Sequence, residues 1–141
     1  MNVEERVGEI LHRHEGRDGP LLPILNDIQA ELGHVPAAAV PLLAAALNLS
    51  RAEVHGVVTF YHDYKSAPAD RPVIKLCRAE ACQARGVEAL APVFEGDDRI
   101  KVETVYCLGL CASGPNAMIG DRLVARLDEA GAKALIGEVV S

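Results

Sequence analysis

Tryptophan is absent from this chain, and only three tyrosines and two phenylalanines are present, so any core must be built from alanine, valine, leucine and isoleucine. No apolar run approaches the ~20 residues that a membrane-spanning helix needs. Basic charge is scarce: 14 Lys and Arg face 20 Asp and Glu, for a formal charge of −6. That balance counts against nucleic-acid phosphates and anionic membrane surfaces, both of which call for a basic face. The opening residues, from Met1 to Arg6, lack the apolar stretch of a signal peptide, so a cytoplasmic protein without membrane insertion is expected. There is no internal repeat and no low-complexity tract. A Cys-x-x-Cys pair is missing as well, which removes the usual signature of thiol–disulfide exchange.

What is present is ample apolar material in a clear order. Half of the 141 residues are hydrophobic, enough for one ordinary domain or two small ones. Val3, Val7, Ile10 and Leu11 recur at helical spacing before Gly16-Arg17-Asp18-Gly19-Pro20 breaks the pattern. Leu21, Leu25, Ile28 and Leu32 form a second stripe, with Pro23 in the first turn and Gly33 placed as the C-terminal cap. Val40, Leu43, Ala44 and Leu47 mark a third helix. Ser50-Arg51-Ala52-Glu53 is a capping box, which starts a fourth helix at Arg51 carrying Val54, Val57 and Val58 inward. A helical bundle over residues 1–66 is therefore expected.

Residues 65–72 mix proline with charge, as linkers do, and beyond them the period changes. Val73–Cys77 reads as a strand, residues 84–95 as a helix, and Ile100–Val105 as an alternating strand. Met118-Ile119 and Leu123-Val124-Ala125 flank Gly120-Asp121 as a hairpin. A last helix starts near Asp128 and buries Ala132, Leu135, Ile136 and Val139. The order β-α-β-β-β-α over residues 72–141 is that of a thioredoxin-like domain, so the fold class expected for the chain is α+β.

All four cysteines fall in this second half, as Cys77-x4-Cys82, then 24 residues, then Cys107-x3-Cys111. Closely spaced cysteines in a reducing compartment are metal ligands or catalytic thiols more often than disulfides. On the expected elements Cys77 ends the first strand, Cys82 lies in the loop after it, Cys107 ends the second strand and Cys111 lies in the loop beyond. Neighbouring strands would bring the four thiols together, and four thiolates are what a [2Fe–2S] cluster requires, two for each iron. The small residues around Cys107-Leu108-Gly109-Leu110-Cys111 and Gly114-Pro115 let backbone N–H groups approach an anionic cluster and favour its reduced form. Arg78 and Arg85 flank the first pair and are placed to add positive potential. A structural zinc ion also takes four cysteines and stays open on spacing alone; unligated buried thiols are a further reading, although pairs at loop ends are not apolar stripes.

At these residues the sequence resembles the complex I 24-kDa subunit family of thioredoxin-like [2Fe–2S] proteins, along nearly the whole chain. The resemblance is carried by Gly56-Val57-Val58-Thr59-Phe60-Tyr61, by the first cysteine pair, and by Cys107-Leu108-Gly109-Leu110-Cys111 with Gly114-Pro115. Within the family, Cys77-Arg78-Ala79-Glu80-Ala81-Cys82-Gln83 is most similar to the gamma subunit of soluble NAD-dependent formate dehydrogenases; the corresponding subunit of NAD-reducing hydrogenases is its near neighbour. The segment between Cys82 and Cys107 is shorter than is usual in the family, which puts contacts of a surface loop there in question. The resemblance implies one [2Fe–2S] cluster on Cys77, Cys82, Cys107 and Cys111. It also implies an FMN- and NAD-binding flavoprotein subunit beside it, and a larger catalytic subunit that carries the formate chemistry. In that setting the chain has no catalytic residue of its own, passes or stores single electrons, and uses its helical first half for docking.

Other residues weigh less. His12 and His14 are read as solvated, His34 as a turn residue, and His55 and His62 as packing or interface groups. Tyr61 and Tyr64 are read as core or subunit contacts. Gly109, Gly114 and Gly120 do not make a phosphate-binding loop, which assigns NAD and FMN to the partner. The helices around Asn48-Leu49-Ser50 outline a helix-turn-helix, hence a regulatory DNA-binding module as a rival reading, but no basic recognition helix accompanies it.

Overall fold

The structure is a computed structural model that describes residues 2–141. It consists of two compact units, one ending at Pro68 and the other beginning at Ala69, each with its own apolar core.

Four helices make the first unit: α1 (Val3–Arg13), α2 (Leu21–Leu32), α3 (Ala39–Leu47) and α4 (Arg51–Phe60). Each boundary has a local cause. Asn2 caps α1 and Ser50 caps α4, and both caps are reciprocal boxes: Ser50 Oγ accepts from the Glu53 amide at 3.0 Å while Glu53 Oε2 accepts from the Ser50 amide at 2.7 Å. Such a cap stabilises a helix by about 1 kcal/mol. Gly33 ends α2 in the left-handed conformation at φ 77°, as its position predicts. Val7, Ile10, Ile24, Leu25, Ile28, Leu43 and Val54 interleave as the core, with α1 against α2 and α3, and α3 against α4. Val57 and Val58, expected inward, are only partly buried against this core, because α4 offers it a single fully buried side chain, Val54.

The second unit is a four-stranded mixed sheet with three helices. Its elements are β1 (Val73–Cys77), α5 (Glu80–Ala84), α6 (Val87–Glu95), β2 (Lys101–Val105), β3 (Ala117–Ile119), β4 (Arg122–Val124) and α7 (Glu129–Val140). Strand order is β2-β1-β3-β4, with β1 and β2 parallel and the remaining pairs antiparallel. β1 is thus central, and its Ile74 and Leu76 are fully buried with Phe94 of α6 and Ala132, Leu135 and Ile136 of α7. Burying an aliphatic or aromatic side chain of that size contributes about 1.5–3 kcal/mol.

Several expected boundaries move: β2 begins at Lys101 rather than Ile100, and β3 at Ala117 rather than Met118. The helix read over 84–95 is two helices, because Gly86 at φ 93° breaks the run and α5 begins earlier, at Glu80. The hairpin's second strand is shifted back by one residue, since Ile119 pairs with Arg122 across Gly120-Asp121.

Candidate metal centre

Parallel pairing of β1 with β2 decides where the thiols meet. The register sets Cys77, the last residue of β1, level with Val105, the last residue of β2, and the Arg78 amide donates to the Val105 carbonyl at 2.9 Å. Cys107 lies two residues beyond that point, past the strand end rather than on it. Cys82 sits within α5 and not in a free loop, and Cys111 opens a single 3-10 turn, Cys111–Ser113. On the other side of β1, Leu76 pairs with Ala117, and the Cys77 amide donates to the Asn116 carbonyl at 3.1 Å. The cysteine-bearing segments therefore converge on one end of the sheet.

The four thiols form two unlike pairs. Cys77 and Cys82 are each 1% exposed, whereas Cys107 and Cys111 are exposed, with their Sγ atoms 3.7 Å apart. Two pairs of thiols are the donor set of a binuclear cluster, with one pair for each iron, and four thiolates also suit a tetrahedral zinc ion.

Backbone amides face the sulfurs as the small residues predict. The Gly109 amide donates to Cys107 Sγ at 3.3 Å, in a loop where Cys107 has φ 104° and Gly109 φ 79°. A positive φ is uncommon for a residue with a Cβ and occurs where surrounding structure imposes it, often at functional sites. Burial pushes the Cys77 thiol up, but hydrogen bonding from the Ala79 amide, the Cys82 thiol and the Cys107 and Leu108 amides outweighs it and holds the pKa below the ordinary thiol value. Cys82 is raised by burial and by the neighbouring Cys77, with the Asn116 amide opposing. Cys111 is raised by its hydrogen bond with Cys107 and by that residue's charge. A charge on Cys77 thus opposes ionisation of Cys82, and a charge on Cys107 opposes that of Cys111. A bound cation removes that conflict.

Gly114 packs directly against the site. A Cβ at this position would meet Cys82 Sγ at 3.1 Å and Arg85 Cδ at 3.4 Å, so a glycine here lets the chain pass against the buried thiol. The peptide between Gly114 and Pro115 is cis.

The expected electrostatic role of Arg78 is corrected by its partners. Its Nε donates to Glu88 at 3.0 Å and its Nη1 to Glu95 at 3.1 Å, so its charge is balanced by two carboxylates of α6. Of the histidines, His14 is corrected from solvated to paired: its side chain is only 10% exposed and its Nε2 lies 2.7 Å from Asp27 Oδ2. His12 is exposed, and His34 Nδ1 contacts the Leu32 carbonyl within its turn. His55 and His62 are exposed. Tyr64 donates to Asn26 Oδ1 at 2.7 Å, which ties the end of the helical unit to α2.

Asn116 is the site residue that sequence reading missed. It is 1% exposed and, among the described residues, the one fully buried polar side chain. The available signal was an asparagine between Pro115 and the apolar strand Ala117-Met118-Ile119, where an apolar residue would otherwise be expected.

Comparison with known proteins agrees with this geometry. Residues 7–140 match the thioredoxin-like [2Fe–2S] ferredoxin family, and the chain belongs to it. Membership implies a [2Fe–2S] cluster. The chain is 29% identical to an NADH-quinone oxidoreductase subunit of Rhizobium meliloti, across 96% of its own length and 88% of that protein. It is 25% identical to the HndA subunit of an NADP-reducing hydrogenase from Solidesulfovibrio fructosivorans, across 86% of its length and 78% of that protein. Among solved structures, an NAD+-reducing [NiFe]-hydrogenase in the H2-reduced state superposes with a TM-score of 0.72 at 29% identity. That match covers 85% of the chain but only 22% of the hydrogenase chain.

Proposed function

We propose that Cys77, Cys82, Cys107 and Cys111 bind one [2Fe–2S] cluster, and that the chain is an electron-transfer subunit beside the FMN- and NAD-binding subunit of an NAD-linked oxidoreductase. The observation that carries this reading is the meeting of a buried and an exposed thiol pair at one end of parallel β1 and β2. When bound, the cluster supplies one-electron chemistry, which complements a flavin able to exchange either one electron or two. Cys77 and Cys82 anchor it on the protein side, where solvent is excluded. Cys107 and Cys111 form the outward side, through which a partner is reached. The amides on Cys77, Cys82 and Cys107 stabilise negative charge at the sulfurs. Arg78, balanced by Glu88 and Glu95, adds little net charge to them.

Docking is assigned to the helical unit. Phe60 is 74% exposed at the end of α4 and stacks edge-on with Tyr61, ring centroids 5.0 Å apart, which is the kind of apolar surface that a subunit contact covers. The names of the relatives favour the equivalent subunit of an NAD-reducing hydrogenase or of complex I. Assignment to a formate dehydrogenase, with FMN and NAD on one partner and the catalytic centre on a larger one, rests on the Cys77–Gln83 resemblance alone.

Anaerobic purification with iron, sulfide and zinc analysis tests the proposal, together with a low-temperature EPR spectrum after dithionite reduction. Two irons and two sulfides per chain with a rhombic signal are expected. One zinc ion and no sulfide would replace electron transfer by a structural metal domain. Affinity capture from the native host then reads the partner directly, as a hydrogenase, quinone-reducing or formate-oxidising complex.

A further inference from the structure

The side-chain amide of Asn116 reaches the loop between the exposed thiols, while its backbone carbonyl holds the end of β1 at Cys77. Asn116 Nδ2 donates to the Leu110 carbonyl at 3.0 Å, and that carbonyl also accepts from the Ser113 amide at 2.9 Å. The Asn116 carbonyl accepts from the Cys77 amide at 3.1 Å, at the end of β1. One residue thus contacts the strand end that carries Cys77 and the loop that carries Cys107 and Cys111. Asn116 Oδ1 is buried and, among the described residues, the one buried side-chain polar atom with no hydrogen-bond partner. A buried acceptor left unpaired destabilises a fold, so stability alone does not account for an asparagine here. An aliphatic side chain would satisfy the surrounding core, but it would leave the Leu110 carbonyl without its side-chain donor.

We infer that Asn116 is a positioning residue: through Leu110 it holds the Cys107–Cys111 loop at a set distance from Cys77 and Cys82, and so fixes the geometry of the four-thiol site. The inference rests on the cluster reading above. Asn116 acts only through the loop. Its deletion therefore loosens the exposed pair and leaves the sheet in place.

The test compares wild-type protein with Asn116→Ala and with Asn116→Asp, which keeps the shape but, when ionised, cannot donate to Leu110. Hydrogen exchange on the metal-free chains reads the loop directly. Loss of a single hydrogen bond should speed exchange at Gly109 and Ser113 about tenfold, while Leu76 and Val102 in the β1–β2 ladder stay unchanged. EPR of the reduced, loaded proteins should show altered g values and a displaced midpoint potential in both variants. Equal acceleration in loop and ladder would make Asn116 a general structural residue and overturn the inference, as would unchanged exchange and unchanged g values. If one variant fails to fold, the other decides. Wild-type protein without iron and sulfide overturns the cluster reading instead, and the exchange arm then decides by itself whether Asn116 holds the loop.

Discussion

Gly114 lies against Cys82 so closely that a single added methyl group would sit 3.1 Å from the sulfur. Cys82 is almost wholly buried and has little room to retreat, so the absence of a side chain at residue 114 is part of the geometry of the thiol site.

Gly114→Ala should therefore harm loading more than folding. The backbone at Gly114 has φ −69°, which alanine adopts without strain, so the cost is the contact alone. Overpacking of this kind costs about 1–3 kcal/mol. Urea unfolding of the metal-free chain should show a loss at or below that range, while iron per chain falls well below the wild-type value. Full iron content in the variant would show that Cys82 can move aside.

The two thiol pairs should respond differently to Cys→Ser substitution. Cys77→Ser leaves a hydroxyl in a dry site and removes an anchor, so iron and sulfide should be lost entirely. Cys111→Ser lies at the exposed side, where an alkoxide or water can take the vacant position, so a fraction of the cluster with an altered EPR signal should survive. Iron analysis and EPR on the two variants check this order, and equal retention would contradict the buried–exposed division.

Asp97 gives a pH signature in the second unit. Its carboxylate accepts from Arg99 Nε at 3.0 Å, from Arg99 Nη2 at 2.7 Å and from the Arg99 amide at 3.0 Å. The Arg99 side chain and then its amide hold the Asp97 pKa at about 2, below the ordinary 3.8. A depressed folded-state pKa contributes stability that is present above the unfolded value and lost as pH falls toward the folded one. Asp97→Asn should thus melt at a lower temperature than wild type at pH 7. The difference should narrow between pH 4 and pH 2 and vanish below it. Thermal melts across that range, with carboxyl titration by NMR, read both halves of the statement.

Much of this protein was settled by its sequence alone. Apolar spacing placed the four helices before Pro68, because a helix buries one face and its period of 3.6 is written in Val7, Ile10, Leu25, Ile28 and Leu43. Ser50 and Glu53 set the start of α4, since a capping box needs only residues three apart. The alternation in Ile100–Val105 marked β2 to within one residue, and the spacing of four cysteines pointed to a four-thiol site. These are local signals, each contained in a few adjacent residues.

What only the tertiary structure decided depends on contacts between distant segments. Cys77 is buried because β1 lies inside the sheet, between β2 and β3, and Cys82 because α5 turns it into the same core, while Cys107 and Cys111 lie past the end of β2 and are exposed. Arg78 was placed near the thiols by sequence, but only α6 brings Glu88 and Glu95 to balance it. His14 passed for a solvent residue until α2 set Asp27 beside it, and Asn116 showed no role until β3 carried it between the Leu110 loop and the end of β1. Periodicity records how each element faces its core. Which polar groups meet across elements is fixed by strand register and helix packing, and no short stretch of sequence contains either.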